Sequence, residues 1–502
     1  MKKLFKIIIG TSLILGGVAS CGETTEPSNK PSEPSISNSD SSTSNDSTVS
    51  TPDVEKVLPE TITFFSINDV HGALEENASG SNYEPGISKL DYAIKHDKDW
   101  DENSVLLSCG DMFQGTALSN LTGGMSTLES MNKMGIEAMC SGNHEFDWGL
   151  DKYKALADKA DFPFLGINTF YKGTDNILDF TLPSTIIKRQ DAKIGIIGSI
   201  YSTAAGSISS NQIKDIEFRY EEELVKNEAK RLKSEEDCDI VVLITHQGSG
   251  SAVRSCLESK DIDLAFGGHT HRIYKSLYNA PYFLTGLSNG RSYQKITLSL
   301  NEETKTYESV KNRSGVVEMR NTPSIQSNPE IDAVLDKYNE QVGPILNEKI
   351  GEASARFSKD QLGALACKSL VDYARNNGVN AVAAFHNDHG IRINELKAGE
   401  ITVKDIYQMS PFDNEVRIIK MPGSELNNPS NFSGNYRYID KSIKFDNDTL
   451  YDVVVFDFIL DRAGFDLYKD SAYKINDEVK FVRDCIMDHI KANSPINPNN
   501  YR

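Results

Sequence analysis

A succession of short, almost unbroken apolar runs limits the fold of this chain more than any other feature in it. TITFFSI (61–67), SVLLSC (104–109), FPFLGI (162–167), KIGIIGSI (193–200), DIVVLIT (239–245) and DLAFGG (263–268) are six to eight residues long. They lack the polar alternation of a strand with one wet face, so they predict strands covered on both sides. Helical stretches such as 126–134 and 219–234 lie between them. That alternation predicts an α/β class, with helices packed on sheets. At 502 residues the chain has room for two large domains.

Five polar segments follow apolar strand candidates: NDVHG (68–72), CGDMFQG (109–115), SGNHEFD (141–147), THQG (245–248) and GGHTH (267–271). Side chains at the carboxyl ends of strands in an α/β sheet converge on one crevice. Asp69, His71, Asp111, Asn143, His246, His269 and His271 would there offer oxygen and imidazole donors without a thiolate. Such a set suits Zn²⁺, Mn²⁺ or Fe²⁺ more than a structural cysteine site. Seven donors exceed the need of one tetrahedral ion and match two ions if one carboxylate bridges them. Two ions about 3.5–4 Å apart can clamp the oxygens of an in-line phosphoryl displacement. Each segment alone reads equally well as a turn or a hydrogen-bonded histidine; the run of five points to one site. His96, in KHDKD, reads as a surface residue, and His386 and His489 are not expected to be ligands.

The ordered set DxH, GDxxQG, GNHEFD, a lone strand-end His and GHxH resembles the calcineurin-like metallophosphoesterase superfamily. GDMFQG and GNHEFDWG resemble its bacterial 5′-nucleotidase branch in particular. The resemblance implies a four-layer αββα sandwich over 59–325, a connecting helix over 326–348 and an α/β substrate-binding domain over 349–502. It implies one metal held by Asp69, His71, Asp111 and His271, and another by Asp111, Asn143, His246 and His269. His144 would then donate to a phosphoryl oxygen, and Asp147 would orient His144. Asn328, Pro329, Glu330 and Asp332 form a good helix start for the connecting segment.

The later part of the chain follows the family less closely. NDHGIR (387–392) and PFDN (411–414) stand where the family has NGGGIR and PFGN. The resemblance gives substrate contacts to Arg356, Asn387, Arg392, Phe412 and Asp466. Asp388 and His389 replace two glycines, Ala364 and Ser369 replace an Asn and an Asp, and GFDLY (464–468) replaces GGDGY. A second stacking aromatic falls at Leu460 without a gap or at Phe458 with a shift. Phe412 also fits a packed core, and Arg392 a surface ion pair. The substrate is therefore expected to be a nucleotide or another phosphate ester. A surface lipoprotein that only binds a ligand is the reading from another class.

The remaining features place and bound the chain. Lys2, Lys3 and Lys6 precede the apolar run 7–19, which is too short for a comfortable membrane span and fits a signal peptide. VASC (18–21) resembles the bacterial lipoprotein box. It implies a signal peptide over 1–20, lipidation of Cys21 and a chain anchored on the extracytoplasmic face of the cell membrane. The Ser/Thr/Asn/Pro-rich segment 21–58 is expected to be a disordered tether. Cys109, Cys140, Cys238, Cys256, Cys367 and Cys485 show no CxxC pair or zinc spacing, and no disulfide pairing follows from them. A net charge of −19 argues against a nucleic-acid polymer as partner. A phosphate substrate would need local positive charge, such as bound cations supply. A monomer is expected.

Overall fold

The computed structural model describes residues 56–501, except 79–82, 277, 278, 280, 321–324 and 463. The expected signal peptide, Cys21 and nearly all of the tether lie outside the described residues. No helix among the described residues is long and apolar enough to cross a membrane.

The first half of the described chain builds two sheets. In one, Thr61–Ile67, Val105–Ser108, Ala138–Cys140 and Phe164–Leu165 run parallel in that order. Ser292–Asn301 pairs antiparallel with Thr61–Ile67, and Thr306–Ser309 and Gly315–Glu318 pair with Ser292–Asn301. The other sheet has the order Tyr274–Ser276, Tyr282–Thr285, Leu264–Gly267, Ile240–His246, Ala192–Ile200, Ser184–Arg189. Its four central strands are parallel.

Continuous apolar runs make both faces of each sheet bury side chains. Phe64, Leu107, Ile194, Val242 and Phe266 fill the space between the sheets. Leu90, Leu128, Met131 and Leu335, from helices Ile87–Lys95, Met125–Met134 and Pro329–Leu346, cover the outside of the first sheet. Val225, Leu232 and Val253, from Glu222–Ser234 and Ser251–Glu258, cover the second. The result is the expected four-layer αββα sandwich. The run 162–167 yields only Phe164–Leu165, because the chain there leaves the first sheet for the second. Gly166 N–H bonds to Leu182 O and Ile167 N–H to Gly198 O.

Asn328 caps helix Pro329–Leu346, its side chain accepting from Glu330 N–H at 2.9 Å. Beyond that helix, a four-stranded sheet has the order Val416–Pro422, Leu450–Phe456, Ala381–Asn387, Asn435–Ile439. Helices Lys359–Asn376 and Val482–Asn493 pack against it through residues such as Leu370 and Ile486. The two halves meet around a cleft. Asn120 donates to Pro411 O at 2.7 Å, Lys404 pairs with Glu75 at 2.5 Å, and Ser210 N–H bonds Asp461 at 3.1 Å. The six cysteines of the described chain are buried and free.

Candidate metal centre and the cavity above it

Each donor sits where a strand stops. Asp69 and His71 follow Thr61–Ile67, Asp111 follows Val105–Ser108, Asn143 and His144 follow Ala138–Cys140, His246 ends its strand, and His269 and His271 follow Leu264–Gly267. Asp69, His71, Asp111, His269 and His271 all hold left-handed backbone, with φ between 50° and 74°. For residues with a β-carbon this costs roughly 1–2 kcal/mol each, so the surrounding packing must enforce it. Glycines allow the loops to close on one another. A β-carbon on Gly142 would lie 2.3 Å from Asp111 Oδ1, and one on Gly110 would lie 2.5 Å from Gly142 N.

The donor atoms converge. Asp69, His71 and His271 form one triad, and Asp111, His246 and His269 another. His71 Nε2 lies 3.1 Å from His271 Nε2 and 4.0 Å from Asp111 Oδ2, so Asp111 stands between the two groups. A third grouping joins His71, Asp111 and His144. Asn143 lines the same space and accepts from Tyr201 OH at 3.3 Å.

Outer contacts fix how the imidazoles face. His71 Nδ1 is 3.1 Å from Gln114 O, and His246 Nδ1 is 2.7 Å from Cys109 O. A carbonyl can only accept, so each Nδ1 carries the proton and Nε2 presents a lone pair to the cluster. His246 Nε2 is fully buried and lies 3.0 Å from Asp111 Oδ2. Two imidazole nitrogens 3.1 Å apart are close to the ~3.3 Å edge of a tetrahedron with ~2.0–2.1 Å metal–nitrogen bonds. The electrostatics agree. Burial opposes charge on His246, yet Asp111 and Asp69 outweigh it and raise its pKa to about 10. This is a centre short of positive charge, and divalent cations fit it.

His144 is held differently. Its Nδ1 bonds Asp147 Oδ2 at 2.7 Å, and its backbone N–H donates to Asp111 Oδ1 at 2.8 Å. Burial opposes its charge, but Asp147 and Asp111 raise its pKa to about 9. Sequence reasoning missed Glu145. Its buried carboxylate accepts from Asp111 N–H (2.7 Å), Met112 N–H (2.8 Å) and Gly142 N–H (2.7 Å), tying two donor loops together. Burial, then Asp111, raises its pKa to about 7. Its neighbours Asn143, His144 and Asp147 are polar, so no local pattern marked it.

A cavity of about 670 Å³ opens from the cluster toward the C-terminal half. Asn387, Arg392 and Phe412 line it, as do Phe458 and Arg462. The Phe412 ring lies 5.5 Å from His144, with the Arg392 guanidinium 5.7 Å from that ring. Leu460 is buried in the core, so of the two aromatic registers the cavity wall uses Phe458. Arg356 and Asp466 lie outside this lining: Arg356 is exposed and paired with Glu395, and Asp466 accepts from Gly464 N–H at 3.0 Å. His489 is tied between Asp372 (2.9 Å) and Tyr501 (2.8 Å), and His386 is buried in its strand beside Phe456.

A four-layer sandwich with an imidazole–carboxylate cluster at its strand ends defines a metallophosphoesterase. Residues 62–272 match the calcineurin-like phosphoesterase family, and 341–429 match the 5′-nucleotidase C-terminal domain. The chain thus joins a calcineurin-like phosphoesterase region to a 5′-nucleotidase C-terminal region. It is 27% identical to the endonuclease YhcR of Bacillus subtilis over 73% of this chain, and spans only 32% of that protein's length. It is 25% identical to a 5′-nucleotidase of Vibrio parahaemolyticus, covering 88% of this chain and 90% of the relative. Its fold is that of a 5′-nucleotidase precursor from Thermus thermophilus (TM-score 0.69, 20% identity, 86% of this chain and 96% of the other).

Proposed function

We propose that the protein is a dinuclear-metal phosphohydrolase that removes phosphate from 5′-nucleotides or closely related nucleotides, on the outer face of a membrane to which a lipidated Cys21 anchors it. The observation that carries this reading is the pair of donor triads beside one shared carboxylate, Asp111, opening onto a cavity lined by aromatic rings and arginines. Asp69, His71, Asp111 and His271 would hold one cation, and Asp111, Asn143, His246 and His269 the other. Bound cations would supply Lewis-acid polarisation and a water that ionises near neutral pH.

The chain's own groups do the rest. His144 presents Nε2–H toward the cavity because Asp147 holds Nδ1, and that proton stabilises charge gathering on a phosphoryl oxygen. Arg392 adds a second cationic contact for the phosphoryl group, and its fork matches two oxygens at once. Phe412 and Phe458 offer faces to a nucleobase. The positive n-region and the VASC box support export and anchoring.

The test is metal content and phosphate release measured together. The protein should take up two divalent ions per chain and release phosphate from 5′-nucleotides faster than from esters without a base. Asp111→Ala should lose both properties. A protein that binds no divalent ion, or that cleaves base-free esters as well as nucleotides, would refute the corresponding half of the reading.

A further inference from the structure

The segment 411–414 carries Phe412 into the cavity wall and belongs neither to the helix before it, Val403–Met409, nor to the strand after it, Val416–Pro422. Pro411 brings no N–H to it, and the carbonyls of Pro411 and Phe412 are taken by side chains. Arg483 Nη1 donates to Pro411 O at 3.0 Å and to Phe412 O at 3.4 Å, and its Nη2 pairs with Asp413. Backbone pairing sets this approach. Val416 N–H bonds Lys480 O at 2.8 Å and Val482 N–H bonds Asn414 O at 3.0 Å, so Arg483 arrives beside the segment one residue later. Asn120, from the catalytic half, also donates to Pro411 O, and its Oδ1 accepts from Gly115 N–H at 3.1 Å.

A cation is poorly placed at position 483 for its own sake. Arg483 is 4% exposed, and burial penalises its charge. It is the second residue of helix Val482–Asn493, where the helix dipole also disfavours positive charge. The Tyr407 ring, centred 4.0 Å from the guanidinium carbon, offsets part of this. The two carbonyls and the carboxylate offset more, and all three belong to the segment 411–414. Asp413 stands where the 5′-nucleotidase pattern has glycine, so the carboxylate arm of this clamp departs from that pattern. Phe412 lies between the gripped groups, with its ring 5.5 Å from that of His144 and 5.7 Å from the Arg392 guanidinium.

We infer that Arg483 is a positioning residue for substrate recognition: by gripping the peptide groups on both sides of Phe412 and the carboxylate of Asp413, it fixes the direction in which the Phe412 ring faces the cavity. This rests on the reading of the cavity as a nucleotide site. Arg483 itself does not line the cavity, so it touches neither the base nor the phosphoryl group and acts through Phe412. An aromatic side chain turns about two torsions, and its ring direction follows from where its backbone is held. Fixing both neighbouring carbonyls removes that freedom before substrate arrives, which lowers the ordering cost of binding. A lysine could not replace it, because a point charge lacks the planar fork that reaches several acceptors at once.

The experiment is a double-mutant cycle on the metal-loaded protein: wild type, Arg483→Met, Phe412→Ala and the two combined. The readout is KM for adenosine 5′-monophosphate divided by KM for p-nitrophenyl phosphate. Arg483→Met should raise that ratio roughly 10-fold, as Phe412→Ala does, the worth of one base stacked on a ring. The combined variant should be within about twofold of Phe412→Ala, because Arg483 then has nothing left to position. Losses that multiply would show an independent role. An unchanged ratio in Arg483→Met would show that Phe412 holds itself, and equal losses on both esters would mark general damage to the fold; each of these overturns the inference. Should Arg483→Met not fold, Asp413→Ala removes only the carboxylate arm. It should raise the ratio roughly 3-fold, and a rise that persists in the Phe412→Ala background overturns the inference as well. Wild-type protein that cleaves neither ester refutes hydrolysis alone, and the same cycle is then read from calorimetric binding of adenosine 5′-monophosphate. Absence of that binding overturns the inference too.

Discussion

At the strand ends of the sandwich, five of the seven metal-donor candidates hold left-handed backbone. The opposite wall presents Asn387, Arg392, Phe412, Phe458 and Arg462 with no such residue among them. The floor of the site thus stores backbone strain, and the wall does not. A cation tolerates little error in ligand position, so its donors must be over-determined by packing and by bonds such as those of Glu145. A substrate wall needs only complementary faces and charges, and it can change residue by residue while the floor stays fixed. On the proposed function, chemistry and selectivity fall to differently built regions, and each should be breakable without the other.

The largest expected effect comes from the floor. His144→Ala should lower kcat by roughly 10²–10⁴-fold, the usual worth of a positioned acid, with KM and metal content unchanged. Asp147→Asn should cost less, because it keeps a partner for Nδ1 but removes the charge. Metal analysis sharpens the comparison. If His144→Ala also loses a cation, His144 acts within its grouping with His71 and Asp111 as a ligand.

Packing gives the next effect. Gly142→Ala forces a β-carbon to 2.3 Å from Asp111 Oδ1 and should destabilise the fold by about 3 kcal/mol and impair metal uptake. Gly135→Ala is the control: its φ is 74°, but nothing lies within 4 Å of the added carbon. It should cost only about 1 kcal/mol, from conformation alone. Equal losses in denaturant unfolding would mean that the donor loops are not held as tightly as their contacts indicate.

The same contrast explains what the sequence disclosed. The floor was legible because strands impose a repeating grammar: an apolar run, then a polar donor at its end. Asp69, Asp111 and His246 follow that rule in the sequence alone. Glu145 escaped, since its role lies in three backbone N–H groups that carry no side-chain signature. The wall was half legible. Arg392 and Phe412 follow recognisable segments, but Arg356 turned out to face Glu395 at the surface. The choice between Leu460 and Phe458 depended on where a short helix turns, which local pattern leaves open.

On the wall, Phe458→Ala should raise KM for nucleotides roughly 10-fold while leaving p-nitrophenyl phosphate unaffected, within the ~1–3 kcal/mol that stacking on a base is worth. A change on both substrates would show that Phe458 shapes the whole cavity, and the separation of wall from floor would fail.

The last effect is read in stability rather than in activity and tests the wall itself. Asp457 precedes Phe458 and also lines the cavity, and burial raises its pKa to about 6, against the pull of the Phe458 N–H, Arg417 and the Glu415 N–H. Its unfolded value is about 3.9. Between those two values the folded chain keeps a proton that the unfolded chain has released. The stability this confers is complete below pH ~4 and is lost as pH rises through ~6. Asp457→Asn preserves an acceptor for the Phe458 and Glu415 N–H groups and removes the ionisation. It should flatten thermal stability across pH 4–7 and raise Tm by a few degrees at pH 7.5, an effect on the order of 2 kcal/mol. The floor offers no such simple titration, because its carboxylates and imidazoles are coupled to each other and to any cation they hold. An unaltered pH profile in Asp457→Asn would mean that the wall carboxylate is solvated in solution, and that the wall is looser than the floor in packing as well as in backbone.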